Sequence, residues 1–249
     1  MGYPSSQPTV GEPPPKAESV QFLGSKAQRF DRSLLVETIL VTAVAILTLR
    51  VLLASPTLGA GWFVAPGVLA AAALIPTAIR KREFAQLGFN AEHFRHSLIL
   101  VGCVCLVAFP ALLAAAWLLR LYGLQLPLRP VLPSGQSWVG WLLYQFLYVA
   151  VAEEVYFRGY LQGNILVLAG KLKDRRYGLW KSSSIVVSAL CFAVAHVIVR
   201  GQAAAVLTFL PGLLLGWLFV RTRSLVAPIL FHGLANTWYL VLFGLLATA

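Results

Sequence analysis

The sequence predicts an all-α fold, a polytopic membrane helix bundle of about seven transmembrane helices. Three observations predict it. Hydrophobic residues make up 59% of the 249 residues and charged residues 12%, against about 45–50% and about 25% in a soluble globular domain. Apolar runs recur at about the 20 residues that cross a hydrocarbon core. Basic residues gather on one side of the resulting serpentine. The composition excludes a disordered chain and a disulfide scaffold, and it argues against a soluble enzyme. The three cysteines, Cys103, Cys105 and Cys191, lie in apolar runs and read as reduced core residues.

Residues 1–33 are rich in Pro, Ser and charge, with little to bury, and read as a disordered cytoplasmic tail. The first apolar run lacks the short basic segment of a signal peptide before it. Gly2 and Ser6 fit a loose myristoylation pattern that chance explains. Apolar runs at 34–54, 60–79, 97–119, 137–162, 184–199, 203–220 and 224–247 are the seven expected spans. The fifth is short and needs neighbours to bury its ends, and Ser182, Ser183 and Ser184 read as its cap. Pro66, Pro76, Pro110 and Pro211 fall inside spans, which packed membrane helices tolerate. Between spans two and three, residues 80–96 read as an amphipathic elbow on the cytoplasmic surface. His93 and His96 there form H-x-x-H, read as a solvated face because no further ligands accompany it. Residues 34–249 form the membrane domain, with no internal repeat.

Placing the N-terminus inside puts fifteen basic residues on the cytoplasmic side, among them Arg80, Lys81, Arg82, Lys171 and Arg175. Only Arg120, Arg129 and Arg200 fall outside, while Arg50 and Arg158 lie within spans. The positive-inside rule therefore accounts for the net charge of +11 without nucleic acid. The expected location is a multi-pass cell membrane, a bacterial inner membrane given the Ala/Leu/Arg-rich composition, with a cytoplasmic N-terminus.

Charge inside a bilayer is costly and points to function. Glu37, Glu153 and Glu154 are the acidic residues in the spans. Glu37, near the end of span one, reads as structural, snorkelling or paired. Glu154 and Arg158 stand four residues apart on one helical face and read as a structural ion pair. Glu153 points about 100° away; a buried carboxylate left without a cation suits a general base. His196, with Phe192 one turn before it, and His232, with Asn236 one turn after it, lie in spans five and seven. At 1.5 Å per residue, Glu153, His196, His232 and Asn236 come to similar depths of roughly 12–18 Å. They are expected to converge on one polar cavity. Such a set can hydrolyse a peptide bond, with Glu153 deprotonating water and His196, His232 and Asn236 donating to the oxyanion. Alternatively Glu153, His196 and His232 can bind zinc, which would activate the water. No serine or cysteine has an evident base partner.

E-E-x-x-x-R, F-x-x-x-H and H-x-x-x-N, in that order on three late helices, resemble the CPBP family of CAAX-type intramembrane endopeptidases and bacteriocin-processing or immunity proteins. The residues that carry the likeness are Glu153, Glu154 and Arg158, then Phe192 and His196, then His232 and Asn236, within about 137–247. The resemblance implies that Glu153 activates the catalytic water, and that His196, His232 and Asn236, with Glu154 beside them, complete the site. It favours a metal-free, glutamic-type site with no cofactor over a zinc site. Eukaryotic prenyl-protein members commonly have eight helices, one more than expected here. The implied partner is a protein or peptide with a membrane-associated C-terminal tail, and the implied activity is endoproteolysis near that terminus or a membrane-proximal segment. The readings set against it are a non-catalytic immunity or scaffold protein and a proton-coupled carrier. Carriers, however, usually show internal repeats.

Overall fold

A computed structural model describes residues 31–54, 61–89, 94–124, 137–170 and 177–247. The tail up to residue 30, and with it His93, Arg129 and the basic residues 171–176, lies outside the described residues. Seven helices follow in order. They are α1 (Arg32–Ala54), α2 (Gly61–Ile79), α3 (Phe94–Leu121), α4 (138–170), α5 (Tyr177–Arg200), α6 (Phe209–Thr222) and α7 (Val226–Ala247). No strand occurs among the described residues. Arg32–Ala54, Phe94–Leu121, Leu179–Arg200, Ala203–Thr222 and Val226–Phe243 are long and apolar enough to cross a membrane. The apolar part of α2, Phe63–Ile79, is shorter. The remaining helix, α4, alternates between α and wide π turns, with Tyr144–Ala150 and Val155–Gln162 in π conformation. The five long apolar helices make this a multi-pass membrane protein.

Two expectations need correction. The fifth span is not short: α5 has 24 residues. Its serines are not a cap but sit inside the helix. Ser183 Oγ donates to the Leu179 carbonyl at 2.9 Å and Ser184 Oγ to Lys181 at 2.7 Å. Each hydroxyl satisfies itself on the preceding turn, so the polar run neither starts nor breaks the helix.

The elbow is also more closely held than an amphipathic surface helix. After α2 the chain makes a short 3-10 turn, Phe84–Leu87, and Leu87 and Gly88 are buried. Gly88 takes φ 94°, which glycine adopts without steric cost. Its carbonyl accepts from the Leu225 N–H at 3.0 Å, locking the turn against the start of α7.

Outward-facing positions are apolar. Val36, Ile39, Val44, Leu47 and Val51 of α1 are between 54% and 69% exposed, and Leu106 and Val107 of α3 exceed 70%. Such a surface is stable only against lipid. Inside, one core joins Ile46, Leu69, Ala73, Tyr156, Phe157 and Phe192 of α1, α2, α4 and α5. A second joins Val101, Leu215, Leu218 and Phe231 of α3, α6 and α7.

Packing within a bilayer relies on close backbone approach and interhelical hydrogen bonds. Both occur around α4. On α6, Gly212 and Gly216 lie against Ala189 and Ile185 of α5, where an added Cβ would stand 3.2 and 3.1 Å from its neighbours. Ser188 Oγ donates to the Phe157 carbonyl at 2.9 Å, and Gln162 Nε2 to the Gly216 carbonyl at 3.0 Å. Tyr156 donates to Thr42 Oγ1 at 2.9 Å, tying α4 to α1.

At Gly159 an added Cβ would come within 2.7 Å of the Leu87 carbonyl oxygen. Backbone cannot swing aside as a side-chain tip can, so Gly159→Ala is expected to lower stability by about 1–3 kcal/mol through overpacking. Gly102, with nothing within 4 Å of its Cβ position, supplies the control: Gly102→Ala is expected to be neutral or slightly stabilising. Thermal unfolding of the two variants in detergent checks this, and matching midpoints would contradict it.

Candidate active site

Glu153 and Glu154 lie in the short α-helical piece Val151–Glu154, between the two π segments. Wide turns of this kind are frequent at functional sites. Consecutive residues diverge around the helix axis, and the two carboxylates accordingly meet different partners.

Glu154 and Arg158 are both fully buried, and Arg158 Nη1 donates to Glu154 Oε1 at 3.1 Å. The expected ion pair is present. The guanidinium also donates to the Gly212 carbonyl at 3.3 Å and lies 4.6 Å from the centre of the Phe192 ring. This gives the Phe of F-x-x-x-H a physical task. Its ring packs against all three groups, standing 4.3 Å from His196 and edge-on to His232 at 5.9 Å.

Glu154 has a second partner that its spacing to Arg158 did not reveal. His232 Nδ1 stands 2.7 Å from Glu154 Oε1. A carboxylate only accepts, so His232 carries its proton on Nδ1 and turns Nε2 the other way. His196 Nδ1 stands 2.9 Å from the Phe192 carbonyl, which fixes the same tautomer. Both Nε2 atoms then face Glu153 Oε2, His196 at 3.9 Å and His232 at 3.8 Å. That oxygen is buried without a hydrogen-bond partner among the described residues.

Asn236 stands one turn beyond His232 on α7. Its Nδ2 donates to Gln145 Oε1 at 2.9 Å. Gln145 is buried on the first π segment of α4. It went unnoticed in the sequence, although a carboxamide inside an apolar span was itself the signal. Glu153, His196 and His232 are thus brought together directly. Glu154 and Arg158 stand behind His232, and Gln145 holds Asn236. Glu37 is paired, as one reading of it had it: Arg80 Nε contacts one of its oxygens, and Tyr160 donates to the other at 3.1 Å.

A zinc ion would call on Glu153, His196 and His232. Among the described residues no three His, Cys, Asp or Glu side chains form a group that could hold a metal ion.

Fold and cluster together define a class: a polytopic helical membrane protein with a carboxylate–imidazole site enclosed by its last four helices. Residues 135–238 match the family described as Type II CAAX prenyl endopeptidase Rce1-like, which supports a CAAX-type (CPBP) protease domain in this part of the chain. Every residue of the cluster falls inside the match. No curated protein and no solved structure matches the chain. The family implies proteolysis within the membrane and a protein substrate.

Proposed function

We propose that this chain is an endopeptidase that cuts a membrane-associated protein near its C-terminus or in a membrane-proximal segment, with Glu153 activating the water. The observation that carries the reading is the unpartnered Glu153 Oε2 facing two imidazole nitrogens at 3.8 and 3.9 Å. Such a span is too long for direct hydrogen bonds and suits one water held between the three groups.

Glu153 takes a proton from that water, with the His196 Nε2 lone pair orienting it. The hydroxide adds to the scissile carbonyl. Asn236 keeps one Nδ2 hydrogen beyond the one given to Gln145, and this donates to the developing oxyanion. His232, when Nε2 is also protonated, donates beside it, with the Glu154 carboxylate balancing its charge. Collapse of the tetrahedral intermediate breaks the C–N bond, and the proton held by Glu153 passes to the leaving nitrogen. In this role Glu154 acts through His232 as a positioning residue.

The orientation we assign has a cytoplasmic N-terminus, from the distribution of basic residues, in a bacterial inner membrane. The test is terminal proteomics on membranes from cells carrying wild type or Glu153→Ala. New C-termini that depend on Glu153 are the expected result and name the substrate. Identical terminal maps, with a cleavable tail protein shown to be present, would defeat the reading. Because no step runs through a metal, cleavage by the purified protein is expected to persist, within about twofold, after dialysis against a strong chelator. Loss on chelation with recovery on adding zinc would overturn the metal-free assignment.

A further inference from the structure

Outside the catalytic cluster, a second charged group is built where α1, α2 and α4 meet at the Arg80 end of the bundle. Arg80 and Arg82 share one carboxylate. Arg80 Nε contacts Glu37 directly, whereas Arg82 Nη2 stands 3.9 Å from it. Arg82 Nη1 donates to the neutral Asn164 Oδ1 at 2.8 Å, and Asn164 in turn donates to Thr38. Arg80 is further linked through Ser33 Oγ to the Asp31 carboxylate, so the guanidinium left without a close carboxylate is that of Arg82. The Arg82 side chain is nonetheless only 20% exposed. A cation so far withdrawn from water calls for a counter-charge.

Beside Arg82 lies a cavity of about 160 Å³, lined also by Thr77, Gln86, Gly159, Gly163 and Asn164. On its α4 wall Gly163 presents no side chain, while Gly159 is closed against the Leu87 carbonyl. On the rim the apolar Val167 is 46% exposed beside the exposed Gln86, and Phe84, two residues before Gln86, is 48% exposed. A cation at the bottom and a lipid-facing rim match a molecule with an anionic head and an apolar body. We propose that this cavity binds the phosphate of an anionic phospholipid headgroup, with Arg82 as its cationic anchor and Gln86 as a further donor. A free phosphate satisfies Arg82 but makes no use of the rim.

The test uses the full chain purified in an uncharged detergent. Thermal midpoint and native mass spectrometry are followed as phosphatidylglycerol, phosphatidylcholine or inorganic phosphate is added. Wild type is expected to retain one phosphatidylglycerol and gain stability. Phosphatidylcholine is expected to act more weakly, because its choline cation competes with Arg82. Arg82→Gln is expected to raise the half-saturating phosphatidylglycerol concentration at least tenfold. Gly163→Val narrows the cavity while keeping every charge. An added Cβ there stands at ordinary contact, 3.7 Å from the Arg158 carbonyl and 4.0 Å from that of Gln86. It should weaken retention similarly, and it carries the test alone if Arg82→Gln fails to fold. Equal retention and equal shifts in wild type and variants would overturn the site. An Arg82-dependent shift with inorganic phosphate as large as that with lipid would overturn the lipid source.

Discussion

Glu153→Gln is expected to abolish peptide-bond cleavage by the reconstituted protein while leaving it folded. General-base catalysis typically contributes about 10²–10⁴ in rate, so kcat should fall by that factor, about 3–5.5 kcal/mol at 1.36 kcal/mol per tenfold. Glutamine keeps the shape but cannot accept a proton from water. The substitution also replaces a carboxylate whose Oε2 is buried without a partner by a neutral amide. Stability should therefore hold or rise, because an unpaired buried charge opposes folding. Kinetics and thermal unfolding on one preparation separate the two effects. Wild-type kcat in this variant would remove Glu153 from the reaction. A collapse of the midpoint would instead make it a structural residue.

Arg158→Met is expected to have the largest effect on stability. Arg158 and Glu154 are both fully buried, and the guanidinium also serves Gly212 and the Phe192 ring. Removing one partner of a buried pair typically costs about 3–5 kcal/mol, because the other charge is left uncompensated. Yield and thermal midpoint should drop sharply. Activity should fall too, since the Glu154 oxygen that Arg158 holds is the one that orients His232. The double variant Glu154→Gln, Arg158→Met removes both charges and is expected to recover part of the lost stability but little activity. That non-additivity is what a coupled pair requires. Independent, additive losses in the two single variants would show that the pair is not coupled.

The helix count and the site members were legible for different reasons. Spans are readable because hydrocarbon thickness sets their length, and no backbone but a helix satisfies itself there. Buried Glu and His are readable because intramembrane charge is rare and costly. The start of α5 was misread because Ser182–Ser184 look like a cap in one dimension, whereas Ser183 and Ser184 bond back onto their own helix. Gln145 carries no charge, so the signal that marks the buried glutamates and histidines does not mark it. The π turns of α4, a helix that carries Gln145, Glu153, Glu154, Arg158 and Gln162, follow no residue pattern that marks them in the sequence.

By itself, the sequence determined a helical membrane bundle, the Glu154–Arg158 pair four residues apart, and which polar groups lie at a common depth. Tertiary structure alone decided which of those groups face one another. His232 turns Nδ1 to Glu154 and Nε2 toward Glu153 because α7 packs on α4 at that register. Asn236 finds Gln145 across 91 residues of chain. Likewise Gly212 and Gly216 let α6 approach α5 closely enough to present their carbonyls to Arg158 and Gln162. Depth follows from position along one helix, which the sequence records. Facing depends on the rotation of each helix about its axis, and that is fixed only when neighbouring helices close-pack.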